Sequence, residues 1–149
     1  MLRQRLSEAL KEGLKSRDER STSTVRMILA ALKDKDISRR GQGEALTDAE
    51  IQGMLQGMIK QRRESIVMFE KGNRADLVEK EQAEIAIIER FLPQQMGDDE
   101  MQVAVKALVA ELGIASVKDM GKAMAAIKER FAGRMDMTKA SAIVRQSLG

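Results

Sequence analysis

The chain contains no cysteine, no histidine, no tyrosine and no tryptophan, and its 149 residues include a single proline, Pro93. Without cysteine there is no disulfide and no thiol chemistry. Without cysteine or histidine there is no zinc site of the ordinary kinds, no Ser-His-Asp triad and no Cys-His dyad. Aromatic residues amount to 2%, all phenylalanine, so there is no platform on which splayed bases could stack. No apolar run approaches the roughly 20 residues a helix needs to span a bilayer. The N-terminal Met1-Leu2-Arg3-Gln4-Arg5 is basic, but no apolar stretch follows it, so no secretory signal is expected. With cysteine also missing, the expectation is a cytoplasmic protein. Neither a metal nor a cofactor is expected.

What the chain does contain is helix-forming. Hydrophobic residues make up 43% and charged residues 33%, a balance that supports a folded core rather than disorder. Ala, Leu, Met, Glu, Lys, Arg and Gln dominate. The length suits one domain or two small ones. The net charge of +3 is compatible with nucleic-acid contact without specifying it.

The hydrophobic spacing predicts an all-α chain. Leu2, Leu6, Leu10 and Leu14 recur at i+4 on a first helix over 2–17. The polar stretch 18–23 reads as a turn. A second helix carries Val25, Ile28, Leu29 and Leu32 and ends near Asp36, and 37–45, with Gly41 and Gly43, reads as a loop. Thr47-Asp48-Ala49-Glu50 is a capping box opening a long helix through Ile51, Met54, Leu55, Met58, Ile59, Ile66 and Phe69 to about Lys71. Gly72 is placed as its C′ residue and Asn73 as the N-cap of a fourth helix carrying Leu77, Ile85, Ile88 and Leu92. Pro93 ends that helix and marks a domain boundary. Three shorter stripes follow. Met101, Val105, Leu108 and Leu112 are closed by Gly113. Val117, Met120, Met124, Ile127 and Phe131 open at Ser116, with Asp119 as its capping partner, and are closed by Gly133. Ala140, Val144 and Leu148 open at Asp136. None is wide enough to be stable alone, and packing together would bury all three.

Few residues carry legible chemistry. Ser7 and Lys11 are one turn apart, and a solvated face explains them as well as a nucleophile and base would. Glu79, Glu81, Glu84 and Glu89 invite a metal or acid–base reading, but a solvated face balanced by Lys80 and Arg90 is the plainer account. Gly41-Gln42-Gly43 and Gly121-Lys122 lack the spacing and the preceding strand of a phosphate loop. Gly53 and Gly57, four apart inside the long helix, suggest close approach of a neighbouring helix. The eleven methionines share the Leu and Ile stripes and read as core, as do Phe69, Phe91 and Phe131. Basic residues form two groups. One is Lys60, Arg62, Arg63, Lys71 and Arg74. The other is Lys118, Lys122, Lys128, Arg130, Arg134, Lys139 and Arg145. In the second, Lys118 and Lys122 are one turn apart, off the apolar stripe, and Gly121 beside them leaves backbone open to a phosphate. Arg134 and Lys139 flank the next turn, which is expected to return them near the same end of the hairpin.

Several stretches together resemble the GatB/YqeY family over nearly the whole chain, in its free-standing YqeY-like form. They are Ser23-Thr24-Val25-Arg26-Met27-Ile28, Met58-Ile59-Lys60-Gln61-Arg62-Arg63-Glu64-Ser65 and Glu79-Lys80-Glu81-Gln82-Ala83-Glu84-Ile85. Phe91-Leu92-Pro93-Gln94-Gln95, Lys118-Asp119-Met120-Gly121-Lys122-Ala123-Met124 and Gly133-Arg134-Met135-Asp136 complete the set. One departure is Arg20-Ser21-Thr22, where relatives tend to show a leucine. The resemblance implies a four-helix N-terminal domain, 1–93, and a three-helix domain, 94–149. The latter is similar to the tail of the B subunit of the tRNA-dependent amidotransferase, a carbon–nitrogen ligase with glutamine as amide donor. Nothing here resembles that enzyme's catalytic cradle. The implied function is a tRNA-binding or tRNA-associated accessory protein without catalytic residues. Lys118, Lys122, Arg134 and Lys139 would meet phosphates, and Gly121 and Gly133 would allow close approach. Lys128, Arg130 and Arg145 are further candidates. The alternative is an adaptor that docks a partner, such as amidotransferase subunits, through its long N-terminal helices. A stand-alone ligase has no support beyond the family's parent activity.

Overall fold

The computed structural model describes residues 1–43 and 45–148; Glu44, within the expected loop, lies outside them. The described residues form seven α-helices and no strand, as an all-α chain requires. They are α1 (Leu2–Ser16), α2 (Glu19–Ser38), α3 (Asp48–Lys71), α4 (Ala75–Glu89), α5 (Asp98–Leu112), α6 (Met120–Arg130) and α7 (Met137–Ser147), with a 3-10 turn, Val117–Asp119, before α6. The chain divides into two compact units, Met1–Leu92 and Pro93–Gly149.

In the first unit α1, α2, α3 and α4 enclose Leu2, Leu6, Val25, Ile28, Leu32, Ile51, Met54, Leu55, Ile59, Ile87, Ile88, Phe91 and Leu92. Burial of a Leu or Ile contributes about 1.5–3 kcal/mol each. The leucine stripe of α1 does not stay inside. Leu2 and Leu6 are buried, Leu10 is half-buried, and Leu14 is 52% exposed. An i+4 repeat drifts by about 40° per step on a 3.6-residue helix, so Leu14 has rotated about 120° from Leu2. Gly13 faces α2 instead: a Cβ there would lie 2.6 Å from Thr22 Oγ1, so a larger residue would force the threonine side chain or the helix to shift.

Residues 18–23, expected as a turn, begin α2. The bend is confined to Arg17, which takes a left-handed conformation (φ 58°), and Asp18 caps the helix by accepting from Ser21 N at 3.1 Å. The local cap outweighs the polar composition. Thr47 caps α3, accepting from Glu50 N at 3.2 Å, and the Glu50 carboxylate is held by the Thr47 hydroxyl and by Arg39. The turn after α3 differs from expectation by one residue. Asn73, not Gly72, takes the left-handed position (φ 57°), with Arg74 N donating to Phe69 O (2.9 Å) and Asn73 N to Glu70 O (3.2 Å). Arg74 is therefore the residue that precedes α4. An asparagine tolerates this conformation at a helix end.

Two further expectations fail. Gly53 and Gly57 face open space, since they lie about 180° and 140° around α3 from the buried Arg62. The glutamates of α4 are not a uniformly solvated face. Glu84 is buried and accepts from Arg62 Nε at 2.9 Å, with Glu81 at 3.9 Å, and Glu89 meets Arg63 at 3.5 Å. Arg62 also donates through Nη1 to Met58 O at 3.1 Å and through Nη2 to Met27 Sδ of α2. From 63 to 83 no residue is fully buried, so this cluster stands where the core of the α3–α4 hairpin stops.

The second unit buries Met101, Val105, Leu108, Val109, Ile114, Ala123, Ile127, Met135, Ala140, Ile143 and Val144. Phe131 packs partly buried against this cluster, Phe91 is core in the first unit, and Phe69 is only half-buried. Most methionines fill the two cores as expected, but Met1, Met27 and Met68 are exposed. At Ser116 the chain forms the 3-10 turn, and the serine side chain makes no cap bond. Gly133 turns the chain between α6 and α7 at φ 74°, a conformation that disfavours any residue with a Cβ. Asp136 then caps α7, accepting from Thr138 N (2.8 Å) and Lys139 N (3.4 Å).

Removing one partner of a buried ion pair leaves the other uncompensated, so Glu84→Ala should cost about 3–5 kcal/mol of unfolding free energy. The Arg62→Met/Glu84→Leu double variant should recover most of it. Urea unfolding followed by circular dichroism measures both; a double variant as weak as the single one would refute the account. Asp136→Ala should cost about 1 kcal/mol in the same assay.

Candidate nucleic-acid interface

The cations of the second unit are sorted by their counter-charges. Lys118 lies in the 3-10 turn, and Gly121 and Lys122 in the first turn of α6; all three are exposed. Nothing lies within 4 Å of a Cβ built at Gly121. Among the described residues Lys118, Lys122, Lys128 and Arg145 have no ion-pair partner. An anion approaching Lys118 and Lys122 therefore displaces no carboxylate.

The other candidates are engaged. Arg134 donates from Nε to Gln94 O at 2.9 Å and pairs with Glu100 at 3.4 Å. Lys139 pairs with Asp98 at 3.3 Å. Arg130 grips Glu111 with two bonds, 2.5 and 3.0 Å, and that contact holds the Glu111 carboxyl below its ordinary range and raises Arg130. Asp98, Asp99 and Glu100 form the acidic first turn of α5, where they complement the positive end of the helix.

The four principal candidates differ in what engages them. Arg134 and Lys139 are tied to the start of α5, whereas Lys118 and Lys122 follow its end, and the 15 residues of α5 span about 22 Å. Between Lys122 and Arg134 the chain also runs most of the length of α6. Arg134 and Lys139 flank the turn between α6 and α7, each held by a carboxylate of the first turn of α5. Gly133 serves that turn, and its carbonyl accepts from Gln95 Nε2 at 2.5 Å.

The first basic group is largely neutralised. Arg62 is buried against Glu84, Arg63 meets Glu89, and Arg74 meets Asp76 at 3.2 Å. Reading Arg62 as a surface cation overlooked its spacing. Leu55, Ile59, Arg62 and Ile66 share one face of α3, and Leu77, Glu81, Glu84 and Ile88 share one face of α4. Two charges at matching places on apolar stripes were the available signal. Ser7 and Lys11 are both exposed on α1.

The fold is thus a two-unit, all-helical protein in which Lys118 and Lys122 are exposed and without an ion-pair partner among the described residues. A Yqey-like protein family model matches residues 3–148, and the chain belongs to that family. Three curated relatives share the name Altered inheritance of mitochondria protein 41, mitochondrial. The one from Lachancea thermotolerans is 35% identical over 109 residues, 72% of this chain and 57% of the relative. That from Eremothecium gossypii is 34% identical over 87 residues, 58% and 46%. That from Saccharomyces cerevisiae (strain YJM789) is 32% identical over 94 residues, 63% and 50%. The chain spans about half the length of these relatives. Their names overturn the cytoplasmic expectation, because each is named as mitochondrial. A lack of cysteine excludes disulfides in any compartment and so selects none. Among the described residues no helix is long and apolar enough to cross a membrane.

The Asp136 cap and the Arg130–Glu111 clamp fix the helices around the lysines but do not contact them. Glu111→Gln is therefore expected to leave Lys118 and Lys122 side-chain resonances unshifted in NMR spectra of the full chain. Movement of those resonances would show that the clamp sets the lysine geometry.

Proposed function

We propose that the second unit binds the sugar–phosphate backbone of tRNA without catalysing a reaction. The observation that carries this reading is the Lys118–Gly121–Lys122 surface, exposed, with neither lysine in an ion pair among the described residues, and open at the glycine. Lysines in that state neutralise phosphates without first breaking an ion pair, and a residue without a Cβ lets backbone approach. The family resemblance supplies tRNA as the ligand class. With so few aromatic side chains, recognition rests on backbone and shape. Arg134 and Lys139 are secondary contacts in this reading, since each must exchange a carboxylate for a phosphate, and Gly133 holds the turn that carries them.

The adaptor reading has its own support. The outer face of α3 bears the open Gly53 and Gly57 and continues to Val67 and Met68, the latter 66% exposed. That face suits a protein partner better than RNA, and amidotransferase subunits are the partners the resemblance suggests.

Fluorescence anisotropy of the full chain with labelled tRNA at two salt concentrations separates the two. The named relatives being mitochondrial, a mitochondrial tRNA pool is included. Lys118→Ala/Lys122→Ala should weaken binding about equally for all tRNA sequences and reduce the salt slope by about one per lysine. Unchanged affinity would reject the tRNA reading, and capture of amidotransferase subunits by the chain would then favour the adaptor.

A further inference from the structure

We propose that Met27 is a reversible oxidation site whose sulfoxide would fasten α2 to the α3–α4 hairpin through Arg62. Arg62 is 9% exposed and carries five N–H donors that need acceptors. Glu84 takes the Nε proton and Met58 O one Nη1 proton, while the group offered by α2 is the thioether of Met27. A thioether is among the weakest acceptors a protein has, and a buried donor with a poor acceptor loses much of what a good hydrogen bond contributes. Met27 is also reachable, at 39% exposure. Of the described methionines only Met1 and Met68 share its exposed state, and no hydrogen bond involving either thioether is present among those described.

The chemistry is a two-electron oxygen transfer from hydrogen peroxide. A sulfur lone pair attacks the peroxide, the O–O bond breaks, one oxygen stays on sulfur, and the other leaves as water. Sulfur is oxidised and peroxide reduced, and methionine sulfoxide reductases reverse the change. The S=O oxygen is a strong acceptor. The flexible methionine side chain can withdraw its sulfur from Nη2, now 2.6 Å away, and set that oxygen against the N–H instead. Oxidation of a packed methionine ordinarily loosens a core; here it strengthens the polar seam between α2 and α3.

The test uses the full chain in a Met68→Leu background, treated with dilute hydrogen peroxide, with oxidation placed by peptide mass spectrometry. One oxygen should appear on the α2 peptide. The unfolding equilibrium of the first unit, read by hydrogen exchange in α2 and α3 peptides, should shift by about fivefold toward the folded state, the scale of one improved hydrogen bond. Reductase treatment should reverse the shift. Met27→Leu should abolish the response, and Met27→Gln, which supplies a permanent carbonyl acceptor, should reproduce it without peroxide. Faster exchange after oxidation overturns the proposal, as does a Met27 that stays reduced while Met1 is fully oxidised.

Discussion

The structure of the first unit depends on how a guanidinium is kept inside it. The Arg62 pair with Glu84 sits at the place where the apolar stripes of α3 and α4 change from buried to half-buried. Below it Ile59 and Ile88 close the core; above it no residue through 83 is fully buried. Taking two charges out of water is costly unless each is fully hydrogen-bonded. Met58 O, Glu81 and Met27 complete the surroundings that make this pair tolerable. A slip of one helical turn between α3 and α4 would separate the charges while leaving leucines and isoleucines able to repack.

The second unit uses charge differently. Its ion pairs lie at the surface, where water and salt make each worth little. Their effect is on which cations remain available. Asp98, Glu100 and Glu111 engage Lys139, Arg134 and Arg130 and hold the ends of α5 against the rest of the unit. Lys118 lies in a short 3-10 turn and Lys122 just after it, with no carboxylate paired to either among the described residues. The same population of basic residues is thereby divided into a structural part and an open part. This division supports the phosphate-backbone reading and narrows it from seven candidate cations to a few.

Comparison with the sequence reading shows where each kind of inference stops. Element type and order were legible because 3.6-residue periodicity and local caps act within a few residues. Thr47 and Asp136 cap where their positions suggest. Fine features at helix ends were less legible. Asn73 displaced Gly72 from the left-handed position, and Asp18 converted a polar stretch into the first turn of α2.

Seven helices and their order, and the membership of Lys118, Gly121 and Lys122 in one short stretch, followed from sequence alone, because helix periodicity and capping are local. Which charges face solvent did not follow, because that depends on what lies across the gap. Arg62 and Glu84 are 22 residues apart, and Arg134 and Glu100 are 34 apart. Only packing brings such residues together, and only packing leaves Gly53, Gly57 and the lysines of α6 uncovered.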